Sequence, residues 1–329
     1  MRCRFALPLL LASCGVFGPT SQQQEQIYFH QQNAQYYMDG KRHSDALDQC
    51  RRGLELDPDD YKLNLIKAYC MLTLAKDTPD PVKVKQVADQ FDYVLTLRSS
   101  HELEPKAWLG YALVQQKLGQ LQIVEAERLR DEIARGVANT VDRASLEARR
   151  KEHEAKGKAF VGNAERALLQ LVERGDVPML AHYHLLQIRA LEKDYAAAVV
   201  HGNAYIDLNE KAQKLRRDEI DRTMTAGYET FRRTQLQDLV AEEISVRAML
   251  GNLYHKLGQH EQALAQLNRV LSLDPARSVD YYNRGRSLQA LGRGDDARRD
   301  FTRFLATTNL PPGSEQVASA YKFLKADKP

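Results

Sequence analysis

"AMLGNLYHKLGQHEQALAQLNRVLSLDP" runs from Ala248 to Pro275, and at an interval of 34 residues it is answered by "YYNRGRSLQALGRGDDARRDFTRFL", Tyr281 to Leu305. Gly251, Leu257, Gly258 and Ala263 recur as Gly285, Leu291, Gly292 and Ala297, and Leu267 becomes Phe301. A repeated pair of antiparallel helices accounts for each position. A small residue at Gly251 lets the two helices cross closely, and Gly258 supplies the backbone freedom for the turn between them. Ala263 faces the first helix where a larger side chain would clash. Pro275 closes the unit, because its ring cannot continue a helix.

The same skeleton opens the chain. Ala34, Ala46 and Pro58 are spaced by twelves, as are Gly251, Ala263 and Pro275, and "LELDP" (Leu54–Pro58) echoes "LSLDP" (Leu271–Pro275). Ala68 begins a second unit whose inner turn is lengthened by "AKDTPDPVK". A third begins at "AWLGYALVQQKLG", with Gly119 expected in its turn. A fourth, degenerate unit starts near Val177, where Tyr195 and Ala198 keep the spacing of His260 and Ala263. The pattern resembles the tetratricopeptide repeat (TPR), a 34-residue helix–turn–helix. The resemblance implies an all-α, right-handed helical solenoid of five or six units, some degenerate.

Composition agrees with an all-α reading. In 329 residues there are only 18 glycines and 11 prolines, while straight-chain helix formers and alanine dominate. Mean hydropathy is −0.53, the value of a wet-surfaced body. Two stretches depart from the repeat, 140–174 and 211–236, and read as helices too long for half a unit. In the second, Leu215, Met224, Tyr228, Phe231 and Leu236 form an apolar stripe at helical spacing. In the first, Ala144, Ala148, Ala155 and Ala159 offer a shallow face. Glu315–Lys325 reads as a helix capping the last unit.

The first residues carry a different signal. Arg2 and Arg4 precede a short apolar core, "FALPLLL" (Phe5–Leu11), and then "LASC" ends at Cys14. The core is too short to cross a bilayer and suits an export signal. "LASC" resembles the lipobox of bacterial lipoprotein signals. The resemblance implies diacylglyceryl modification of the Cys14 thiol and cleavage after Ser13, which lowers the net charge from +3 to +1. More than one acyl chain gives stable anchoring. Gly15 follows the cysteine, and the aspartate associated with inner-membrane retention is absent, which favours the periplasmic face of the outer membrane. The expected organisation is a signal peptide (1–13), a lipidated tether (14–22), N-terminal TPR-like units (23–135), an interrupted region with long helices (136–236), a C-terminal TPR pair (237–310), and a capping helix with tail (311–329).

Several function classes fall away. The 47 cations and 44 anions are interspersed without a basic stripe, so no nucleic-acid partner is expected. Phosphate-loop, dinucleotide, C-x-x-C and H-E-x-x-H patterns are missing. His182 and His184 are two apart, so on a helix they point about 200° from each other and do not form a ready metal pair. No catalytic residue, metal, cofactor or small-molecule substrate is expected. Cys50 and Cys70 fall on helices that should touch; a disulfide is one reading, two buried thiols packed as hydrophobes the other.

What remains is binding. TPR proteins generally hold extended peptides or partner helices on their concave surface, which the resemblance carries to Asn252, His255, Lys256, Tyr282, Arg286 and Gln289 by helix phase. Asn252 and Asn283 fall where chaperone-tail clamps place asparagines, but Ala248 and Val279 stand where such clamps place cations. The reading is a membrane-anchored TPR lipoprotein that scaffolds or assembles other envelope proteins. Its layout is similar, in architecture only, to type IV pilus pilotins and to a subunit of the outer-membrane barrel assembly machinery. Two other readings stand beside it: a cytosolic TPR adaptor with a chance apolar start, and an envelope polymer-processing enzyme.

Overall fold

The computed structural model describes residues 18–136, 140–222 and 225–326, with 140, 141 and 326 described by backbone alone. The leader and Cys14 lie outside the described residues. Within these there are thirteen helices and no strand, so the fold is all-α. Two compact units divide the chain, one up to Arg150 and one from Lys151. The first holds α1 (Ser21–Asp39), α2 (His43–Leu54), α3 (Tyr61–Leu74), α4 (Pro81–Thr96), α5 (Glu104–Ala134) and the start of α6 (Thr140–Arg174). The second holds the rest of α6 and α7 (Pro178–Leu191), α8 (Tyr195–Asp221), α9 (Ala226–Lys256), α10 (His260–Leu273), α11 (Ser278–Ala290), α12 (Gly294–Thr307) and α13 (Glu315–Ala326).

One local rule builds most of the hairpins. Lys41, Lys193, Gly258 and Gly292 adopt left-handed φ values of 58°, 64°, 73° and 73°. Five residues after each comes Ala46, Ala198, Ala263 or Ala297, and all four alanines are fully buried. The left-handed residue ends the first helix, and the next amide reaches back five residues: Gln259 N–H donates to the Tyr254 carbonyl at 2.9 Å and Arg42 N–H to that of Tyr37 at 2.8 Å. Such bonds satisfy carbonyls that the helix end leaves open. The returning helix then seats its alanine against the first. A second recurrent tie lies three residues beyond: His30 with Gln49 at 2.9 Å, His182 with His201 at 3.0 Å, and Arg247 with Gln266 at 2.7 Å, each pair 19 residues apart.

Gly119 breaks the rule and corrects the sequence reading. The third unit has no turn there, and α5 runs straight through it for 31 residues. The residue five positions on is Val124, 61% exposed, where the other hairpins bury alanine. A β-branched side chain at that site would strike the first helix, so the chain continues instead. The long inner turn of the second unit is present, with the Asp80 carboxylate accepting from the Val82 amide at 2.9 Å as N-cap of α4.

In the first unit, α1, α2 and α3 enclose Ile27, Ala34, Ala46, Leu63 and Ile66 together with Cys50 and Cys70. Both cysteines are buried and free. Burial first, and then the neighbouring Cys70, push the Cys50 thiol up to about 12, and burial pushes Cys70 to about 11. They pack as small hydrophobes here. Farther along, the Phe91 ring fills the space over Gly110, which admits no Cβ.

The second unit repeats the construction with larger side chains. A Cβ on Gly251 would stand 2.7 Å from Leu267, and one on Gly285 3.0 Å from Phe301, so both helix pairs cross at glycine. Val317 and Ala320 of α13 join Phe301 and Phe304 in one cluster and cover the last hairpin.

The stretch 211–236 is not one helix. α8 ends at Asp221 and α9 begins at Ala226, so two lengthened helices fold back on each other. Charged, helix-favouring residues flank the break on both sides, and the break itself falls at the short uncharged stretch "TMTAG", 223–227. At the base, the Glu243 carboxylate is fully buried and accepts from Gln213 and Arg247, both at 2.7 Å, and from Arg269 at 3.0 Å. The Asn209 amide donates to the Leu239 carbonyl at 3.0 Å. Burial would raise Glu243, but the bonds from Gln213, Arg247 and Arg269 outweigh it and hold the carboxyl below its usual range. Beyond this base the expected apolar stripe is open to solvent: Leu215, Tyr228 and Phe231 are exposed. Met224 lies outside the described residues. Ala144, Ala148, Ala155 and Ala159 of α6 are likewise exposed.

Candidate functional site

The inner helices of the second unit, α7, α9 and α11, follow one another along the array, and α9 touches α11 directly. Between α7 and α9 a cavity of about 310 Å³ is lined by Leu180, Tyr183, His184, Tyr205, Ala241, Glu242 and Ser245. Its placement follows from repeat phase. Leu180 precedes buried Ala198 by 18 residues, as Ser245 precedes Ala263, so both point to the same side of successive helices.

The cavity floor comes from α8. Tyr205 is buried, and its hydroxyl donates to the Glu242 carboxylate at 2.6 Å. Burial first, then this bond and the carboxylate charge, raise the phenol well above its ordinary range, so it remains a donor at neutral pH. His184 is half-buried; burial lowers it to about 4, although a bond with Gln187 works the other way. It is neutral at pH 7. The Ser245 hydroxyl donates to the Ala241 carbonyl one turn back at 3.0 Å. Leu180, at 42% exposure, is the open apolar wall.

The walls are mostly apolar, and Glu242 supplies a negative charge at one edge. That combination receives an apolar side chain flanked by a cation or by backbone N–H groups. Pairing the Glu242 oxygen with the phenol leaves its other acceptor directions available to such a donor.

Toward the chain end, the residues expected in the groove divide. Asn252 and Gln289 are exposed on α9 and α11. His255 Nδ1 lies 3.1 Å from the Ser287 hydroxyl and ties α9 to α11. Burial, followed by the charges of Arg286 and His260, lowers His255 to about 4. Arg286 is half-buried, with its guanidinium carbon 5.9 Å from the Tyr282 ring centre. Tyr282 requires correction. It is 7% exposed, and its ring lies 5.8 Å from Phe301 and 5.2 Å from Phe304, so it is a packing residue. Lys256 also turns elsewhere, holding its ammonium 4.8 Å from the Tyr195 ring on α8.

Sequence reasoning missed the cavity residues of α7 and α8. The hairpin they form turns on Lys193 instead of glycine, which weakens its repeat signature, and Tyr205 lies on an outer helix. The available signal was the 18-residue step back from Ala198, which lands on Leu180. His182 and His184 part company: His182 bonds His201, while His184 lines the cavity. Among the described residues, no group of three or more His, Cys, Asp or Glu could hold a metal ion.

Residues 251–292 match the TPR repeat. No curated protein matches the chain by sequence. Among solved structures, PilF of Pseudomonas aeruginosa aligns with a TM-score of 0.52 and 14% identity, over 94% of this chain and 100% of that one. The C-terminal part of a TPR repeat-containing protein from Cytophaga hutchinsonii aligns with a TM-score of 0.52 and 11% identity, over 90% and 94%. At these identities the likeness is one of fold. The fold is that of a TPR solenoid protein.

Proposed function

We propose that this chain is a membrane-anchored scaffold of the bacterial cell envelope, holding partner proteins by an extended segment laid along α7, α9 and α11. The observation that carries the reading is the cavity between α7 and α9, with apolar walls and the Glu242 carboxylate at its edge. It suits a partner segment with an apolar anchor beside a lysine or arginine. Asn252 and Gln289 offer amides to the backbone of the same segment farther along. Binding, rather than catalysis, is the role this surface serves.

Anchoring rests on "LASC" and Cys14, and the outer membrane is favoured by Gly15. Palmitate labelling tests it directly: label on the parent chain and none on Cys14→Ser is expected. No label on the parent would instead favour a cytosolic adaptor. The groove is tested by a photo-crosslinking amino acid at Ser245 in the living cell. A discrete crosslinked partner, lost when Leu180→Arg fills the cavity, is expected. A crosslink that survives Leu180→Arg would place the partner elsewhere.

A further inference from the structure

We infer that α1 lies against the lipid headgroups, and that Tyr28, Phe29 and Tyr36 form its contact with the membrane. The inference rests on the proposed anchor at Cys14 and goes beyond it, because an anchor alone leaves the body free to swing.

α1 has two unlike sides. Ile27 and Ala34 are buried against α2 and α3, and Tyr37 and Met38 pack at the edge of the same cluster. On the other side Tyr28 is 62% exposed, Phe29 60% and Tyr36 70%. At 100° per residue these three fall within an arc of about 100°, with Glu25, Gln32 and Asp39 between them. Their separation along the axis is about 12 Å from Tyr28 to Tyr36.

The helix as a whole is poor in charge and has no Lys or Arg, although its two carboxylates, Glu25 and Asp39, lie on this same side near its two ends. From Ser21 to Asp39 the only Asp, Glu, Lys or Arg residues are Glu25 and Asp39, in a chain where 28% of residues are charged. A helix face meant for water in this protein carries ion pairs, as α2 does with Arg51 between Asp48 and Glu55. Tyrosine and phenylalanine among glutamines instead suit a boundary that is apolar on one side and wet on the other. The length of α1 and its polar residues keep it at that boundary, since no described helix is long and apolar enough to cross a membrane.

Position supplies the remaining argument. Thr20 caps α1, its side chain accepting from the Gln23 amide at 3.3 Å, and it stands six residue steps from Cys14. Six residues reach about 20 Å at full extension. A lipid-modified Cys14 therefore holds the aromatic face within reach of the headgroups. Because that face has no lysine or arginine, its contact depends on aromatic burial and is not weakened by salt, unlike that of a basic patch.

The test uses the full chain, purified with its own N-terminus and reconstituted in phosphatidylethanolamine–phosphatidylglycerol vesicles brominated near the glycerol end of the acyl chains. Trp108 is the only tryptophan, so the parent gives the baseline emission. Tyr36→Trp is expected to add blue-shifted emission that the bromolipid quenches, no less in molar salt than at low salt. Tyr321→Trp, exposed on α13, is expected to add emission that is not quenched. Phe29→Trp provides a second reporter if Tyr36→Trp fails to fold.

Palmitate label with unquenched emission at both reporters overturns the apposition and leaves the anchor standing. Absence of label overturns both together. Equal quenching at residue 321 overturns the assigned face. A doubled mass in detergent, abolished by Phe29→Ser with Tyr36→Ser, assigns the face to a second copy of the chain and overturns the lipid contact.

Discussion

At the scale of single residues, the left-handed position and the alanine five residues after it close four of the hairpins. Gly258 has no atom within 4 Å of where a Cβ would stand, so Gly258→Ala adds backbone strain without a clash. It should lower stability by about 1 kcal/mol, measured by denaturant unfolding. Lys193 holds φ 64° with a side chain in place, and Lys193→Gly should raise stability by a similar amount, about 1 kcal/mol. The histidines carry a second prediction. His184 and His255 stand at about 4, against an ordinary 6.5. The unfolded chain therefore takes up protons as pH falls through 6.5 while the native protein does not, until about 4. Their contribution is fully present above pH 6.5 and is lost across that window on acidification. The denaturant midpoint should fall between pH 7 and pH 5, and His255→Asn should reduce that fall. His182 and His201 are also lowered, both mainly by burial and His201 further by the charges of His182 and Arg189. They act in the same direction.

At the scale of elements, legibility depended on whether the small-residue spacing survived. Gly251, Gly258 and Ala263 together mark α9 and α10, because Gly251 and Ala263 sit where a larger side chain would clash and Gly258 takes the left-handed turn without strain. Gly119 carried the same mark falsely. Its meaning depended on Val124, since a turn glycine is of no use when the returning helix cannot seat its first residue. The break between α8 and α9 was marked only by the short uncharged stretch "TMTAG", 223–227. Its flanks, "LRRDEID" and "TFRRTQL", are as helix-favouring as the helices themselves. What fixes the pairing is the buried Glu243 network, assembled from residues far apart in sequence. Glu243→Ala removes the acceptor that Gln213, Arg247 and Arg269 share, while Arg247 keeps Glu210 and Gln266, and should cost about 1–3 kcal/mol. The outer part of the same hairpin has exposed apolar residues, so Leu215→Ser and Phe231→Ser should each stay within about 0.5 kcal/mol of the parent. Thermal unfolding of the three variants checks the contrast.

At the scale of the whole molecule, the 34-residue period at both ends of the chain was enough to give a TPR solenoid, because the fold is set by hairpins each defined locally. The binding surface was only partly legible. Helix phase found exposed Asn252 and Gln289, but it also selected Tyr282, whose ring the bulky Phe301 and Phe304 draw into the core. The cavity was missed because α7, α8 and α9 each supply part of it and the α7–α8 hairpin has lost its glycines. We propose that this cavity selects an apolar anchor beside a cation. Selection of a displayed random-peptide library on the full chain, followed by equilibrium binding to the parent and to Leu180→Arg, tests it most directly. Enriched peptides should share an apolar residue next to lysine or arginine and should lose at least tenfold in affinity, about 1.4 kcal/mol, for Leu180→Arg. Peptides that bind parent and variant equally, or an enrichment of acidic sequences, would contradict it.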